Sequence, residues 1–310
     1  MINKVEKVLI TGCGGMLGEA LYKVCTESFT NVLATDIDIN EAWLKYLDVR
    51  DIVACEKVFD EFKPTIVFHL AALTDLEFCE KNPYKAWETN AFGTENIALL
   101  AERYDSTIVY IGSAGIFDGK KDVYTDFDQP NPINYYGASK YHGEKYIESN
   151  VSKYFIFRAG WMVGGGLKKD KKFIGKIFSQ IVGGAKELFV VEDKLGTPTY
   201  THDFVRGMLN LIPTKYYGLY HQVCAGDTNR FEVAREFIRL LDLENKVKVT
   251  SVPSSHFKDE YFAPRPRSEM MVNLKLNLRG MNQMRDWKIC LSEYSKIFKD
   301  SLQSNPSFKK

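Results

Sequence analysis

The stretch VLITGCGGMLGEAL, residues 8–21, decides the fold. VLIT (8–11) reads as a short buried strand, and MLGEALYKVCTE (16–27) reads as a helix. Between them Gly12, Gly15 and Gly18 stand at the spacing Gly-x-x-Gly-x-x-Gly. Glycine lets the backbone turn sharply from strand to helix. It also lets an anion approach the helix N-terminus, where free N–H groups and the dipole favour negative charge. A Gly-rich turn standing alone is as often only a turn. A second mark comes from the next strand, VLATD (32–36), which ends in Asp36, 18 residues after Gly18. A carboxylate there is placed to accept hydrogen bonds from a ribose diol, and it repels a 2′-phosphate. Turn and acid together predict a dinucleotide site, NAD(H) or NADP(H), with a mild lean to NAD(H) that nearby basic residues can reverse. Its residues are Thr11, Gly12, Gly14, Gly15, Met16, Leu17, Gly18 and Asp36. Asp48, with Val49 beside it in YLDVRD, is a further candidate for the adenine edge; a loop cap is the alternative.

The alternation continues outward from that turn. DIVACEKVFDEF (51–62) is helical, TIVFHLAA (65–72) is a buried strand, and 82–104 is long enough for one extended helix. TIVYIGS (107–113) is a strand, 137–149 a helix, and YFIFRAG (154–160) strand-like. Such alternation predicts an α/β protein with a Rossmann-type, doubly wound parallel sheet and helices on both faces. Ligands of these sheets bind beyond the carboxyl ends of the strands. The second half is less regular. It offers a helix near 173–182, a loop and helix over GTPTYTHDFVRGMLNLI (196–212), and an amphipathic helix over 230–243. APRPRSE (263–269) reads as a Pro/Arg loop, and the charged tail after Phe298 is expected to fray. Residues 1–160 are read as the dinucleotide-binding domain. Residues 161–310 are read as mainly a smaller α/β substrate domain, with some segments returning to the sheet.

The totals exclude several classes. The 310 residues suffice for one large domain or two ordinary ones. Hydrophobic residues at 45% and charged residues at 26% suit a packed core. A net charge of +1 argues against a broad footprint for nucleic acid. No apolar run approaches the roughly 18 residues of a membrane span. The opening MINKVEKVLITG lacks the apolar region and cleavage site of a secretory signal. Cysteines 13, 25, 55, 79, 224 and 290 are scattered, with no Cys-x-x-Cys pair. They are expected to be reduced thiols in a cytoplasmic protein without a metal site.

NPINYYGASKYHGEKYI (131–147) carries the candidate chemistry. A helix advances about 100° per residue, so Tyr136 and Lys140 share a face. An ammonium beside a phenol stabilises phenolate and lowers a pKa that starts near 10. Such a tyrosine can pass a proton to a carbonyl oxygen while hydride arrives at its carbon. Tyr141 and Lys145 repeat the spacing about 140° around the helix, so both pairs cannot face one cleft. Tyr136 follows the loop QPNPIN at the mouth of the helix, where a ligand could reach it. A lone Tyr-x-x-x-Lys is usually a surface pair, so the pair needs support. Ser113 supplies it: it ends a strand on the edge where a dinucleotide should lie, and its hydroxyl can donate to the same carbonyl oxygen. Otherwise Ser113 caps a turn.

Thr11-Gly12-x-x-Gly15-x-x-Gly18, Asp36, HLAA (69–72), Asn90 in NAFGTEN, Ser113 and Tyr136-Gly-Ala-Ser-Lys140 together resemble an extended short-chain dehydrogenase/reductase. Within it, the dTDP-4-dehydrorhamnose reductase group is the nearest likeness. FDGKKDVYTDFDQPNPINYYGASKYHGEKYI (117–147), FRAGWMVG (157–164), GTPTYTHD (196–203) and APRPRSE (263–269) carry it, in order, over most of the chain. The resemblance implies reduction of a 4-keto group on a nucleotide-linked deoxysugar. Tyr136 would be the general acid, Lys140 would hold the nicotinamide ribose, and Ser113 would bind the keto oxygen. Leu70, Ala71, Ala72 and Asn90 would join the cofactor site. Ala114, Trp161, Thr197, Tyr200 and Arg265 would face the sugar nucleotide, a guanidinium suiting a diphosphate; for Trp161 a core role and for Arg265 a surface role remain open. Dimers are common in the superfamily, which leaves a homodimer open.

One departure stands out. These reductases usually read Ser-Thr-Asp-Tyr-Val-Phe-Asp-Gly where this chain has Gly112-Ser113-Ala114-Gly115-Ile116-Phe117-Asp118-Gly119. An acid and an aromatic ring are missing, which leaves space for a different sugar. A dehydratase would need an acidic pair there. An epimerase with tightly bound NAD needs none and stays open, as does a regulatory subunit of the same fold.

Overall fold

A computed structural model describes residues 5–304 of the chain. The first half runs β1 (Lys7–Thr11), α1 (Met16–Ser28), β2 (Asn31–Asp36), β3 (Lys45–Tyr46), α2 (Ile52–Phe62), β4 (Ile66–His69), α3 (Leu76–Lys81), α4 (Pro83–Ala86), a π-helical turn (Trp87–Phe92), α5 (Gly93–Arg103), β5 (Thr107–Ser113), α6 (Tyr135–Asn150) and β6 (Tyr154–Ala159). The second half runs β7 (Trp161–Val163), α7 (Gly166–Lys169), α8 (Phe173–Val182), β8 (Glu187–Val191), β9 (Leu195–Gly196), β10 (Pro198–Tyr200), α9 (Thr201–Leu211), β11 (Gly218–His221), β12 (Thr228–Asn229), α10 (Arg230–Leu240), β13 (Lys248–Val252), β14 (Ser268–Glu269), α11 (Leu274–Leu278) and α12 (Trp287–Ser304).

One parallel sheet of seven strands, ordered β11-β6-β5-β4-β1-β2-β3, forms the centre. Chain direction reverses its walk between β1 and β4, the crevice where such sheets bind ligands. Successive side chains of each strand serve opposite faces. Val8, Ile10, Phe68, Val109, Phe155 and Phe157 pack into one core, under α1, α8, α9 and α12. Leu9, Val67, Ile108, Tyr110 and Ile156 pack into the other, under α2, α5 and α6. Burial on both sides explains why these strands read as unbroken apolar runs.

Several elements differ from the sequence reading. The strand expected over 65–72 ends at His69, and Leu70–Ala72 leave the sheet as a loop. The helix expected over 82–104 is interrupted by the π turn. There Asn90 turns inward: Oδ1 accepts from Leu73 N at 2.7 Å, and Nδ2 donates to Leu73 O at 3.0 Å and Ser139 Oγ at 3.2 Å. β8 and β13 pair in parallel, and neither was read as a strand. The tail does not fray after Phe298: α12 continues to Ser304, with Phe298 and Leu302 buried. Residues 1–4, which open the segment read for a signal, and 305–310 lie outside the described residues. Among the described residues no helix is long and apolar enough to cross a membrane.

Helix α6 is anchored by charge. Glu144 is fully buried and accepts from Arg158 Nη2 at 2.8 Å and Nε at 3.0 Å. Burial pushes the Glu144 carboxyl up, against the pull of Arg158. Arg158 Nη1 also meets His221 Nε2 of β11 at 3.3 Å. Breaking such a pair strands the other charge in the core. Glu144→Ala should therefore lower unfolding stability by about 3–5 kcal/mol in a denaturant titration; a loss below about 1 kcal/mol would show the pair to be dispensable.

Candidate active site

The glycine turn is shaped by what it touches. Gly12 has φ +70°, and a Cβ there would collide with the Ala71 backbone. The turn after β1 thus lies directly against the loop after β4. A Cβ on Gly15 would meet nothing within 4 Å. Gly15 also precedes α1 without a side-chain cap, so the first N–H groups of the helix remain available to an anion. Asp36 Oδ2 accepts from Gly14 N at 2.8 Å, and Oδ1 accepts from Asp38 N at 2.9 Å. The carboxylate therefore fixes the turn as well as facing the crevice. Open backbone donors, a cradle lacking side chains and an acid at the end of β2 fit a dinucleotide.

A cavity of about 1620 Å³ runs from this turn across the sheet edge. Gly12, Gly15, Met16, Leu17, Gly18, Asp36, Asp48, Val49, Leu70, Ala71 and Ala72 line one end. Ser113, Ala114, Tyr136, Lys140, Trp161 and Arg265 line the rest. Other expected residues serve the wall from behind. Thr11 Oγ1 meets His69 Nδ1 at 2.7 Å, Gly14 holds Asp36, and Asn90 holds Leu73. Thr197 and Tyr200 are not brought to the cavity. Thr197 Oγ1 accepts from Met271 N at 3.1 Å, and the Tyr200 hydroxyl donates to Glu293 Oε1 at 3.0 Å. Two charged candidates are already paired: Asp48 with Arg50 at 2.6 Å and Arg265 with Glu77 at 2.7 Å.

Asn134 caps α6, accepting from Gly137 N at 2.7 Å. Tyr136 thus falls in the first turn, beside Ser113. Ser113 Oγ accepts from Gly115 N at 3.1 Å. The expected lowering of the Tyr136 pKa does not hold for the protein alone. Burial pushes the phenol up to about 12, with Ser113 pulling down and the Glu269 carboxylate pushing up. Burial pushes Lys140 down to about 7, opposed by Glu144. The Lys140 Nζ lies 4.0 Å from the centre of the Tyr110 ring. Tyr141 packs beside Ala114, Ile116 and Phe117, and Lys145 pairs with Glu148. The six cysteines are free and buried, and burial pushes Cys25 and Cys55 up to about 12, away from thiolate chemistry.

The sequence reading missed Lys169, Lys172, Arg230 and Glu269 on the same cavity. The Lys169 side chain is 6% exposed; Glu41 Oε1 stands 3.2 Å away, off the hydrogen-bonding direction. Lys172 Nζ donates to Thr74 Oγ1 at 3.1 Å. KKDKK (168–172) was the available signal, but such runs ordinarily mark a solvated face.

A parallel Rossmann sheet, a glycine turn at its switch point and Ser113, Tyr136 and Lys140 on one wall define an extended short-chain dehydrogenase/reductase, an NAD(P)-dependent oxidoreductase by class. The family described as RmlD substrate binding domain matches residues 6–299, and the chain belongs to it. Spore coat polysaccharide biosynthesis protein SpsK of Bacillus subtilis (strain 168) is 29% identical over 291 residues, 94% of this chain and 97% of its own. Methionine adenosyltransferase 2 subunit beta of Xenopus tropicalis is 26% identical over 298 residues, 93% of this chain and 86% of its own. The crystal structure of dTDP-4-dehydrorhamnose reductase from Bacillus anthracis str. Ames in complex with NADP superposes with a TM-score of 0.85 at 32% identity, over 94% of this chain and 98% of that one.

Lys140 makes the site sensitive to pH. Its folded pKa, about 7, lies below the roughly 10.4 of an exposed lysine. Between those values the unfolded chain binds more protons, so stability contributed by this group rises with pH through that window. Lys140→Met should flatten the rise in melting temperature from pH 7 to pH 9 in cofactor-free protein. An unchanged slope would place the titration elsewhere.

Proposed function

We propose that this protein is an NAD(P)H-dependent reductase of a nucleotide-linked 4-keto-6-deoxysugar. The observation that carries the reading is the shared cavity wall of Ser113, Tyr136 and Lys140, continuous with the glycine turn. The likeness to a dTDP-4-dehydrorhamnose reductase in complex with NADP supports the substrate class and the cofactor type.

A bound reduced nicotinamide supplies hydride to the carbonyl carbon. Tyr136 donates the proton to the carbonyl oxygen. A phenol held near pKa 12 keeps that proton at neutral pH, which suits a donor. Ser113 hydrogen-bonds the same oxygen. One of its two lone pairs accepts from Gly115 N, which leaves its own hydrogen free to be donated. Lys140, 4% exposed, lies within reach of the ribose side of the crevice and carries the charge that follows proton loss. Met16 and Leu17 with the free N–H groups of α1 hold the pyrophosphate, and Asp36 accepts from the adenosine ribose. That carboxylate favours an unphosphorylated ribose, so the lean is to NADH. Reduced cysteines buried in the core suit a cytoplasmic enzyme.

The likeness to methionine adenosyltransferase 2 subunit beta favours a second reading, a regulatory subunit without turnover. The two separate in one assay, the loss of reduced nicotinamide absorbance against a panel of nucleotide-linked 4-keto-6-deoxysugars. Turnover with one sugar is expected, with a higher kcat/KM for NADH than for NADPH. Tyr136→Phe should still bind cofactor while kcat falls about 100- to 10,000-fold. A wild-type rate in that variant would remove Tyr136 as the acid. Silence across the panel with cofactor still binding would move the reading to an epimerase or a regulatory subunit.

A further inference from the structure

The space above Gly115 is where this chain departs from its family, and it is not left apolar. A Cβ on Gly115 would stand 3.3 Å from Ser113 Oγ, 3.3 Å from Tyr136 Cε1 and 3.5 Å from Glu269 Oε1. The catalytic hydroxyl, the catalytic ring and a carboxylate therefore surround one small volume. Glu269 comes from β14, far along the chain. Its Oε2 accepts from Trp161 Nε1 at 2.7 Å, which aims Oε1 at the space over Gly115. Trp161 is itself fixed. One side of its ring lies so close to Gly196 that any side chain there would run into it. The Arg230 guanidinium stacks 3.9 Å from the ring centre. Arg230 and Glu269 attract each other electrostatically, which steadies the carboxylate without removing it from the cavity.

Ser113 and Tyr136 are the groups that would hold the carbonyl oxygen. Glu269 Oε1 faces the same small volume over Gly115 that Ser113 Oγ and the Tyr136 ring border. An ionised carboxylate is acceptor-only, so it selects a donor. We propose that Glu269 is a specificity-determining residue that accepts a hydrogen bond from a hydroxyl on the ring of the keto-sugar. The acid that related chains carry after the catalytic hydroxyl is thereby supplied from another segment, at a different angle, for a differently substituted sugar. The inference rests on the reductase reading for its substrate class.

The test compares nucleotide-linked keto-sugars that differ by a single ring hydroxyl. The wild type should prefer the hydroxylated member of one such pair by about 10- to 100-fold in kcat/KM, the scale of a hydrogen bond to a charged group. Glu269→Ala should collapse that ratio towards one. Glu269→Gln keeps an acceptor and the Trp161 bond, so it should retain part of the preference and guards against misfolding. A purely structural or electrostatic role for Glu269 would scale both sugars alike and leave the ratio intact, which overturns the proposal. Calorimetric binding of the corresponding nucleotide hydroxysugars, with oxidised NAD present, reads the same contrast without turnover. A silent panel with that contrast intact would sink the reductase reading alone; turnover with an unchanged ratio would sink the Glu269 assignment alone.

Discussion

Helix α6 carries charge into the protein, and the site depends on how that charge is satisfied. Lys140 and Glu144 both face the sheet and are buried. Glu144 is held by Arg158 of β6, and Arg158 by His221 of β11. His221 N in turn donates to Asp126 Oδ1 at 2.6 Å, in the loop before α6. The ladder thus runs from the helix through two strands to a loop, where Asp126 Oδ2 also accepts from Lys275 N of α11 at 3.1 Å. A buried ion pair adds little net stability over an apolar replacement, but it fixes geometry, because either partner alone is costly. With Glu144 fixed, Lys140 lies one turn earlier and Tyr136 one turn before that. A single helix face therefore sets the distance between the Tyr136 phenol and the Lys140 amine.

The opposite wall is fixed without charge. Thr11 of β1, His69 of β4 and Thr94 of α5 form a chain through the imidazole, with contacts of 2.7 and 3.0 Å. Burial, with Lys140 adding to it, pushes the His69 pKa down to about 3, so the ring stays neutral and one nitrogen can accept while the other donates. A charged imidazole there would repel Lys140. Asn90 does similar work one element further on. The π turn holds an extra residue, and the backbone of Leu73 is clamped from both its N–H and its C=O. The loop that lines the cofactor crevice is thus tied to α6 through Ser139.

What was legible in the sequence was what depends on spacing. The glycine turn, Asp36 at the end of β2, and Tyr136 four residues before Lys140 are local patterns, and the sheet follows from repeated apolar strands. What was not legible depends on partners far along the chain. Arg265 lines the cavity as expected, but its pairing with Glu77, 188 residues away, could not be read from spacing. Tyr200 looked like a substrate contact, yet Glu293 holds its hydroxyl. The Tyr136 pKa was misjudged because spacing shows the neighbouring lysine but not the desolvation, which pushes the phenol up in the protein alone. The strands β8 and β13 escaped notice because each is short and finds its partner only across the second half.

Glu269 shows the same limit from the chemical side. Read along the chain, Ala114 and Gly115 only subtract an acid and a ring from the site. Read in space, the subtraction opens a view from Ser113 to β14. β14 pairs with β9, Glu269 opposite Gly196, and the missing side chain at Gly196 admits the Trp161 ring whose N–H holds Glu269. Two glycines therefore act together: one clears room for the tryptophan that orients the carboxylate, and the other clears the volume into which the carboxylate points. Neither glycine has this effect alone. A Cβ at Gly115 would crowd Ser113 and Tyr136 at 3.3 Å and touch Glu269 at 3.5 Å, so a family-like aromatic ring grown there would compete for the volume that the carboxylate faces.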